Sequence, residues 1–263
     1  MNIFCFSVPP PRPELHANYW AVFEAMARSA QRAIQGARVI LSTSPDAPVP
    51  ESLSIDRILR FGPPSTPREI MVWRLAATAQ YLASGFFDRD SVLIDQDLVF
   101  LDDPRHVFAA PFDLALTWRE VNEGVRTPDG HHIWHPVNAG VIFCRHAAQP
   151  RVHGFFAQAL SGVIALNEEM RVWYGDQEIF LRLIGRAAFA RFPPPEYVEA
   201  AGAQIRLLPG EIYNFTYGHA ATVADIPTQG KSIIHFKGAR KPQMLEFAAK
   251  VLGLGPSGQA RRP

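Results

Sequence analysis

Asp95 and Asp97 stand two residues apart in the run Ser91-Val-Leu-Ile-Asp-Gln-Asp-Leu-Val-Phe100, which is otherwise apolar and of strand character. In a strand, residues i and i+2 project to the same side. The spacing therefore predicts two carboxylates facing one ligand. Adjacent carboxylates repel, and burial makes the repulsion worse. A divalent cation relieves it, and hard oxygen donors suit Mg²⁺ or Mn²⁺. The competing structural reading has one Asp capping the next turn while the other is solvated.

Three further segments carry chemistry-bearing side chains. Pro136-Val-Asn-Ala-Gly-Val-Ile-Phe143 opens an apolar strand with an amide, Asn138, and a glycine turn. Trp173-Tyr-Gly-Asp-Gln-Glu178 lies at a predicted helix start, where the competing structural reading has Asp176 as an N-cap, a role that a ligand contact would not preclude. Ile234-His-Phe-Lys-Gly-Ala-Arg-Lys-Pro242 follows a short strand. His235 there reads either as a core histidine or as a ligand. Gly238 permits close backbone approach to a phosphate, and Lys241 supplies a compact cation. Arg74 lies on a predicted helix, where a solvated guanidinium is the competing reading. His131, His132 and His135 cluster, but His-His-x-x-His is a poor spacing for structural zinc.

These residues need elements to position them. Residues 2–8 read as a buried strand, Pro9 to Pro13 as a rigid loop, and Leu15 to Gln35 as a helix with Tyr19, Val22, Phe23, Met26 and Ala30 on one face. Gly36 closes that helix, and Arg38 to Leu41 returns as a strand. Ile55 to Phe61 is a weaker strand, followed by Pro63, Pro64 and Pro67; a helix then runs from Arg68 to Ala83. Strand–helix–strand order without hairpin signals predicts a doubly wound, mostly parallel α/β sheet, which binds ligands at the carboxyl ends of its strands. The second half is less regular. Strands are expected at Phe112–Trp118, Val137–Phe143, Ile205–Pro209 and Ser232–Phe236, and helices at Val152–Leu166, Gln177–Ile184 and Gln243–Leu252. Arg119 to His135 reads as a loop or loose hairpin. The expectation is a single domain over residues 1–252, with a nucleotide-binding half at 1–103, an acceptor and catalytic half at 104–252, and a flexible tail at 253–263.

The composition is that of an ordinary globular protein, with 48% hydrophobic and 19% charged residues. A formal net charge of +1 gives no electrostatic case for nucleic acid as a partner. Cys5 and Cys144, both inside apolar runs, read as reduced and buried. With no signal sequence and no apolar run of spanning length, the chain reads as cytoplasmic, without an integral membrane segment. Peripheral contact with the inner membrane face through Arg261-Arg262 is a further expectation.

Taken in order, the four segments resemble the GT-A nucleotide-sugar glycosyltransferases, and most of all the retaining family that includes glycogenin and the bacterial lipopolysaccharide galactosyltransferases. The resemblance runs from about residue 2 to 245. It implies a hexosyltransferase with Asp95, Asp97 and His235 holding Mn²⁺ or Mg²⁺ on a nucleotide-sugar donor, UDP-linked, and a glycan or other hydroxyl acceptor. Ser7, Arg74, Asp95, Gln96, Asp97, Asn138, Ala139, Asp176, Gln177, Gly238 and Lys241 are implied donor contacts. Asn138, Asp176 and Gln177 would lie nearest the reacting carbon. Trp118, Arg119, Glu120, His131, His132, Trp134 and His135 fall where relatives build the acceptor side. The resemblance implies retention of configuration, and the poor nucleophilicity of an amide at Gln177 favours front-face attack. Two departures stand out: the proline-rich first loop, and Asp-Gln-Glu178 in place of the commoner Asp-Gln-Asp. A non-catalytic nucleotide-sugar or glycan-binding module is the alternative, with a haloacid-dehalogenase-like phosphatase, whose nucleophile motif Asp95-Gln-Asp-Leu-Val99 superficially matches, as a more distant one.

Overall fold

The computed structural model describes residues 1–62, 69–120, 125–126, 132–133, 135–218 and 220–255, with 125–126 and 132–133 described through the backbone alone. Pro63, Pro64, Pro67 and Arg68 lie outside the described residues, as do Arg261 and Arg262. In chain order the elements are β1 (Asn2–Phe6), α1 (His16–Ala33), β2 (Arg38–Thr43), β3 (Arg57–Arg60), α2 (Ile70–Ala83), β4 (Ser91–Ile94), β5 (Leu98–Phe100), β6 (Leu114–Trp118), β7 (Val125–Arg126), β8 (His132–Ile133) and β9 (Val137–Cys144). They continue as α3 (Gln149–Ile164), α4 (Glu168–Val172), α5 (Gly175–Ile184), β10 (Tyr197–Ala200), β11 (Ala203–Pro209), α6 (Gly210–Tyr213), β12 (Ile233–His235) and α7 (Lys241–Lys250). The result is a mixed α/β fold whose strands fall into two compact units, each drawn from separated stretches of chain.

One unit comprises residues 1–66, 94–106 and 211–263. Its strands β1, β2 and β3 are parallel, with Ile3 opposite Val39 and Ile40 opposite Arg57. The β1 and β2 side chains are almost all buried, the pattern of a sheet covered on both faces. The α1 helix inserts Trp20, Phe23, Met26, Ala27 and Ala30 into this core, a 3–4 spacing that makes one continuous stripe. Gly36, at φ +73, makes the left-handed turn from α1 into β2. Phe236 meets Tyr217 and Phe247 of α7, ring centroids 5.5 Å apart in each case. Each such buried aromatic contributes about 2–3 kcal/mol.

The other unit comprises residues 67–93 and 107–210. Its strand order is β10-β11-β6-β9-β4. The β11 strand runs parallel to β6, while β9 is antiparallel to β6 and β10 to β11. Phe155 and Phe156 of α3 meet Phe180 of α5 at 5.4 and 5.9 Å. Cys5, in β1 of the first unit, and Cys144, in β9, are both buried thiols outside any disulfide.

Several expected elements differ from those found. The run Ser91–Phe100 is not one strand, because it breaks at a turn over residues 95–97. The β5 segment then leaves to pair antiparallel with β12, in a separate two-stranded sheet. Three elements had no expectation at all: α4, only five residues long, α6, only four, and the strand β10, which turns into β11 through Ala201 (φ 53) and Gly202 (φ 74). Positive φ at both turn positions suits a tight hairpin, but Ala is a weak signal for it. The expected loose hairpin at Arg119–His135 is present at least as the antiparallel pair β7–β8.

Candidate metal centre and polar cluster

Three side chains converge in the first unit. Asp95 and Asp97 flank Gln96 in the turn between β4 and β5, and the β5–β12 register sets His235 opposite Leu98. The Phe236 amide donates to the Asp97 carbonyl at 2.8 Å, which ties the turn to the end of β12. His235 Nε2 consequently lies 3.0 Å from Asp97 Oδ1 and 3.6 Å from Asp95 Oδ2. One donor atom from each of the three residues falls within 4.8 Å of the others. The carboxylates do converge, but through a turn rather than through the alternation of a strand.

The electrostatics of this cluster call for a cation. His235 Nδ1 lies 2.9 Å from the Oδ1 atom of buried Asn214, so Nδ1–H donates there. Nε2 is thereby aimed at the two carboxylates, so the three side chains present their donor atoms to one point. An imidazole nitrogen with two hard oxygens is a donor set that fits Mn²⁺ or Mg²⁺. Lys241 Nζ stands 3.5 Å from Asp97 Oδ2, with its side chain 43% exposed. Burial pushes the Asp97 carboxyl up, but His235, by charge and hydrogen bond, and Lys241 outweigh burial and hold it at about 2.

Gly238 adopts φ +61 and begins the turn that leads to Lys241 at the start of α7. A side chain there would meet no atom within 4 Å, so the backbone angle rather than crowding favours glycine. The first turn of α7 also offers the positive end of a ten-residue helix.

Ser7 and Gln96 belong to the same unit, where they bond to each other and to Tyr19. The Ser7 hydroxyl donates to Gln96 Oε1 and lies 2.6 Å from the Tyr19 hydroxyl. Neither Tyr19 nor Asn214 is singled out for chemistry by the sequence. Tyr19 reads as an ordinary helix-face aromatic, and Asn214 is one amide within Tyr213-Asn-Phe-Thr-Tyr217.

The second unit holds the remaining expected residues. Arg74 of α2 donates from Nη1 to Asp176 Oδ2 at 3.0 Å and from Nη2 to the Ala139 carbonyl at 2.7 Å. Asp176 Oδ1 accepts from the Gln177 amide at 2.7 Å. Arg74 is thus an ion-paired residue and not a solvated helix face. Asn138 is buried, and its Oδ1 accepts from the Gly140 amide at 3.2 Å. The β6–β9 ladder explains this local turn. Leu116 faces Ile142 while Thr117 faces Asn138, so Ala139, Gly140 and Val141 bulge out of register. Gln177 Oε1 is buried with no hydrogen-bond partner among the described residues.

Asp176 is not the helix cap. That position belongs to Tyr174 at φ 62, with no side-chain capping bond, and Asp176 lies inside α5. Gly175 is required before it, because a Cβ there would stand 2.4 Å from the Met170 carbonyl oxygen. Glu178, the departure from Asp-Gln-Asp, pairs with Arg182 at 2.7 Å and Arg186 at 3.0 Å.

On the expected acceptor side, His135 is fully buried and stacks on Tyr174, centroids 5.3 Å apart. Burial pushes its imidazole down to about 4. Arg119 donates to the His135 carbonyl at 3.1 Å, and Trp118 stacks on Phe192 at 5.7 Å. Glu120 is exposed. His131, Trp134 and the side chain of His132 lie outside the described residues.

No protein-family model matches this chain, and no curated protein matches it in sequence. Solved structures do match in fold. The bifunctional glycosyltransferase WbbM superposes with a TM-score of 0.58 at 12% identity, over 97% of this chain and 50% of that one. The galactosyltransferase LgtC, in complex with donor and acceptor sugar analogues, matches with a TM-score of 0.56 at 15% identity, over 95% of both chains. The glycosyltransferase GlyE of Streptococcus pneumoniae matches at 0.53 and 14%, over 94% of this chain and 59% of that one. The chain thus spans about half to three-fifths of WbbM and GlyE and nearly all of LgtC. At these identities the likeness is one of fold.

Proposed function

We propose that this protein is a glycosyltransferase: it moves a sugar from a nucleoside-diphosphate donor, UDP-linked, to a hydroxyl of a carbohydrate or other acceptor, with the anomeric configuration retained. The carrying observation is the convergence of Asp95, Asp97 and His235 within 4.8 Å, on a fold shared with glycosyltransferases. Asp95, Asp97 and His235 would hold Mn²⁺ or Mg²⁺. Bound there, the ion would supply charge stabilisation to a diphosphate as it departs.

The chain's own groups divide the remaining work. The Lys241 ammonium, partly exposed beside Asp97, neutralises phosphate oxygens, and the left-handed Gly238 leaves backbone free of a side chain where a phosphate approaches. Asn138 and Gln177 offer amide groups to sugar hydroxyls, and the Gln177 Oε1 atom gains there an acceptor role it lacks among the described residues. Asp176 has one oxygen on Arg74 and the other on the Gln177 amide, so its nucleophilicity is damped. The family resemblance makes Gln177 and Asp176 the candidate nucleophiles. An amide and an ion-paired carboxylate are both poor ones, so attack on the front face through an oxocarbenium-like transition state is preferred over an enzyme-bound sugar.

Incubation with labelled UDP-sugars and Mn²⁺ tests the reading. Transfer, or slow donor hydrolysis, is the expected result. Nucleotide binding without turnover across a broad acceptor panel would instead identify a binding module. Release of phosphate from simple esters would indicate a phosphatase. An inverted product would defeat front-face attack and leave the donor site standing.

A further inference from the structure

Gln96 lies between the two carboxylates of the turn, and its own side chain is tied down. The Tyr19 hydroxyl stands 2.6 Å from Ser7 Oγ, and Ser7 Oγ–H donates to Gln96 Oε1. Since the serine proton is committed to the amide oxygen, the phenol donates to the serine. The result is a directed chain, Tyr19 O–H to Ser7 O–H to Gln96 C=O. It links the first turn of α1, the residue after β1 and the middle of the turn 95–97. Ser7 is itself fixed, being 3% exposed and donating its backbone N–H to the Ser42 carbonyl at 2.9 Å.

Two carboxylates in one turn repel each other, and before an ion arrives His235 and Lys241, both on Asp97, offset that repulsion from the Asp97 side. Pairing with β12 restrains the Asp97 end through the Phe236 amide. The Tyr19–Ser7–Gln96 chain restrains the middle of the turn from the opposite direction. We infer that Tyr19, Ser7 and Gln96 are positioning residues that hold the Asp95–Asp97 turn in its chelating shape, so that the metal site is preorganised before any ion arrives. This inference rests on the metal reading above. It reassigns Ser7 and Gln96 from donor contact to support of the ligands, and it adds Tyr19 through its bond to Ser7.

Groups that orient metal ligands typically change affinity about 10- to 100-fold when removed. The experiment is a Mn²⁺ titration of the full chain, following free Mn²⁺ by electron paramagnetic resonance, with and without UDP. Tyr19→Phe, which removes one hydroxyl and keeps the ring against Trp20, is expected to weaken Mn²⁺ binding about tenfold. Ser7→Ala should behave alike, and Ser7→Thr, which keeps a hydroxyl, should restore most of the affinity. The urea midpoint of the metal-free protein should barely move in Tyr19→Phe. Equal affinity in wild type, Tyr19→Phe and Ser7→Ala would overturn the positioning role and leave the metal site intact. Failure of the wild type to take up Mn²⁺ under either condition would overturn the metal reading, and this inference with it. Should Tyr19→Phe fail to fold, the Ser7→Ala and Ser7→Thr pair gives the same decision.

Discussion

At Asp97 a single carboxylate is shared between an imidazole and an ammonium, both of which would have to yield to an incoming cation. Two effects of Asp97→Asn follow. Mn²⁺ binding and metal-dependent turnover should be lost, as read by titration and donor hydrolysis. The metal-free variant should also be less stable at pH 7. From the sequence, deleting one of two crowded carboxylates looks harmless, but in the folded protein His235 and Lys241 lower the Asp97 pKa to about 2 in spite of burial. A depressed folded pKa gives stability that is present above the unfolded value near 4 and lost as pH falls toward 2. The gap between wild type and Asp97→Asn should therefore be about 2 kcal/mol at pH 7 and close near pH 2, measured by urea denaturation. At this scale the sequence was informative wherever residue type carried the chemistry: the Asp pair, His235 and Lys241 meet, and Arg74 meets Asp176 and Ala139. It was uninformative where a side chain acts only through another. Tyr19 and Asn214 look like any helix-face phenol and any loop amide until their partners are in place.

Among the elements, the turn at 95–97 and the start of α5 decide the most. Apolar runs on either side of Asp95–Asp97 have identical strand character, so periodicity alone cannot reveal that the second run departs to another sheet. The β5–β12 register is a tertiary choice, made where Ile233, Ile234 and Phe236 bury beside Leu98, Val99 and Phe100. Long helices were legible because their apolar stripes recur over several turns. The short α4 and β10 offer too few residues for a period to emerge. At α5 the constraint is steric. Gly175→Ala would drive a methyl group into the Met170 carbonyl at 2.4 Å and the Val163 side chain at 2.9 Å. A loss of about 1–3 kcal/mol is expected, read as a lowered urea midpoint. Since Asp176 and Gln177 follow directly, donor turnover should fall with it, while Mn²⁺ affinity should hold.

For the whole molecule, ligand linkage and protonation give two further expectations. Saturation of the Asp95–Asp97–His235 site with Mn²⁺ at a hundred times its dissociation constant would add about 2.7 kcal/mol to stability. The thermal midpoint of wild type should rise accordingly, and that of Asp97→Asn should not. The pH response has a second contributor in His135, whose imidazole burial pushes down to about 4. Its stability contribution is complete above an ordinary histidine value near 6.5 and falls away as pH drops toward 4, because the unfolded chain binds the proton first. His135→Phe, which preserves the stack on Tyr174, should flatten the change in urea midpoint between pH 7 and pH 5. The order of strands and helices gave the α/β class correctly, and the apolar runs around Cys5 and Cys144 gave two buried thiols outside any disulfide. Among the described residues no helix is long and apolar enough to cross a membrane. The pairing of β12 with β5 has a temporal consequence. The imidazole at position 235 comes 138 residues after Asp97 in the chain. A polypeptide still being synthesised displays both acids long before it owns the nitrogen that completes the set. Any cation held by all three side chains would therefore have to wait until β12 has been made and paired with β5.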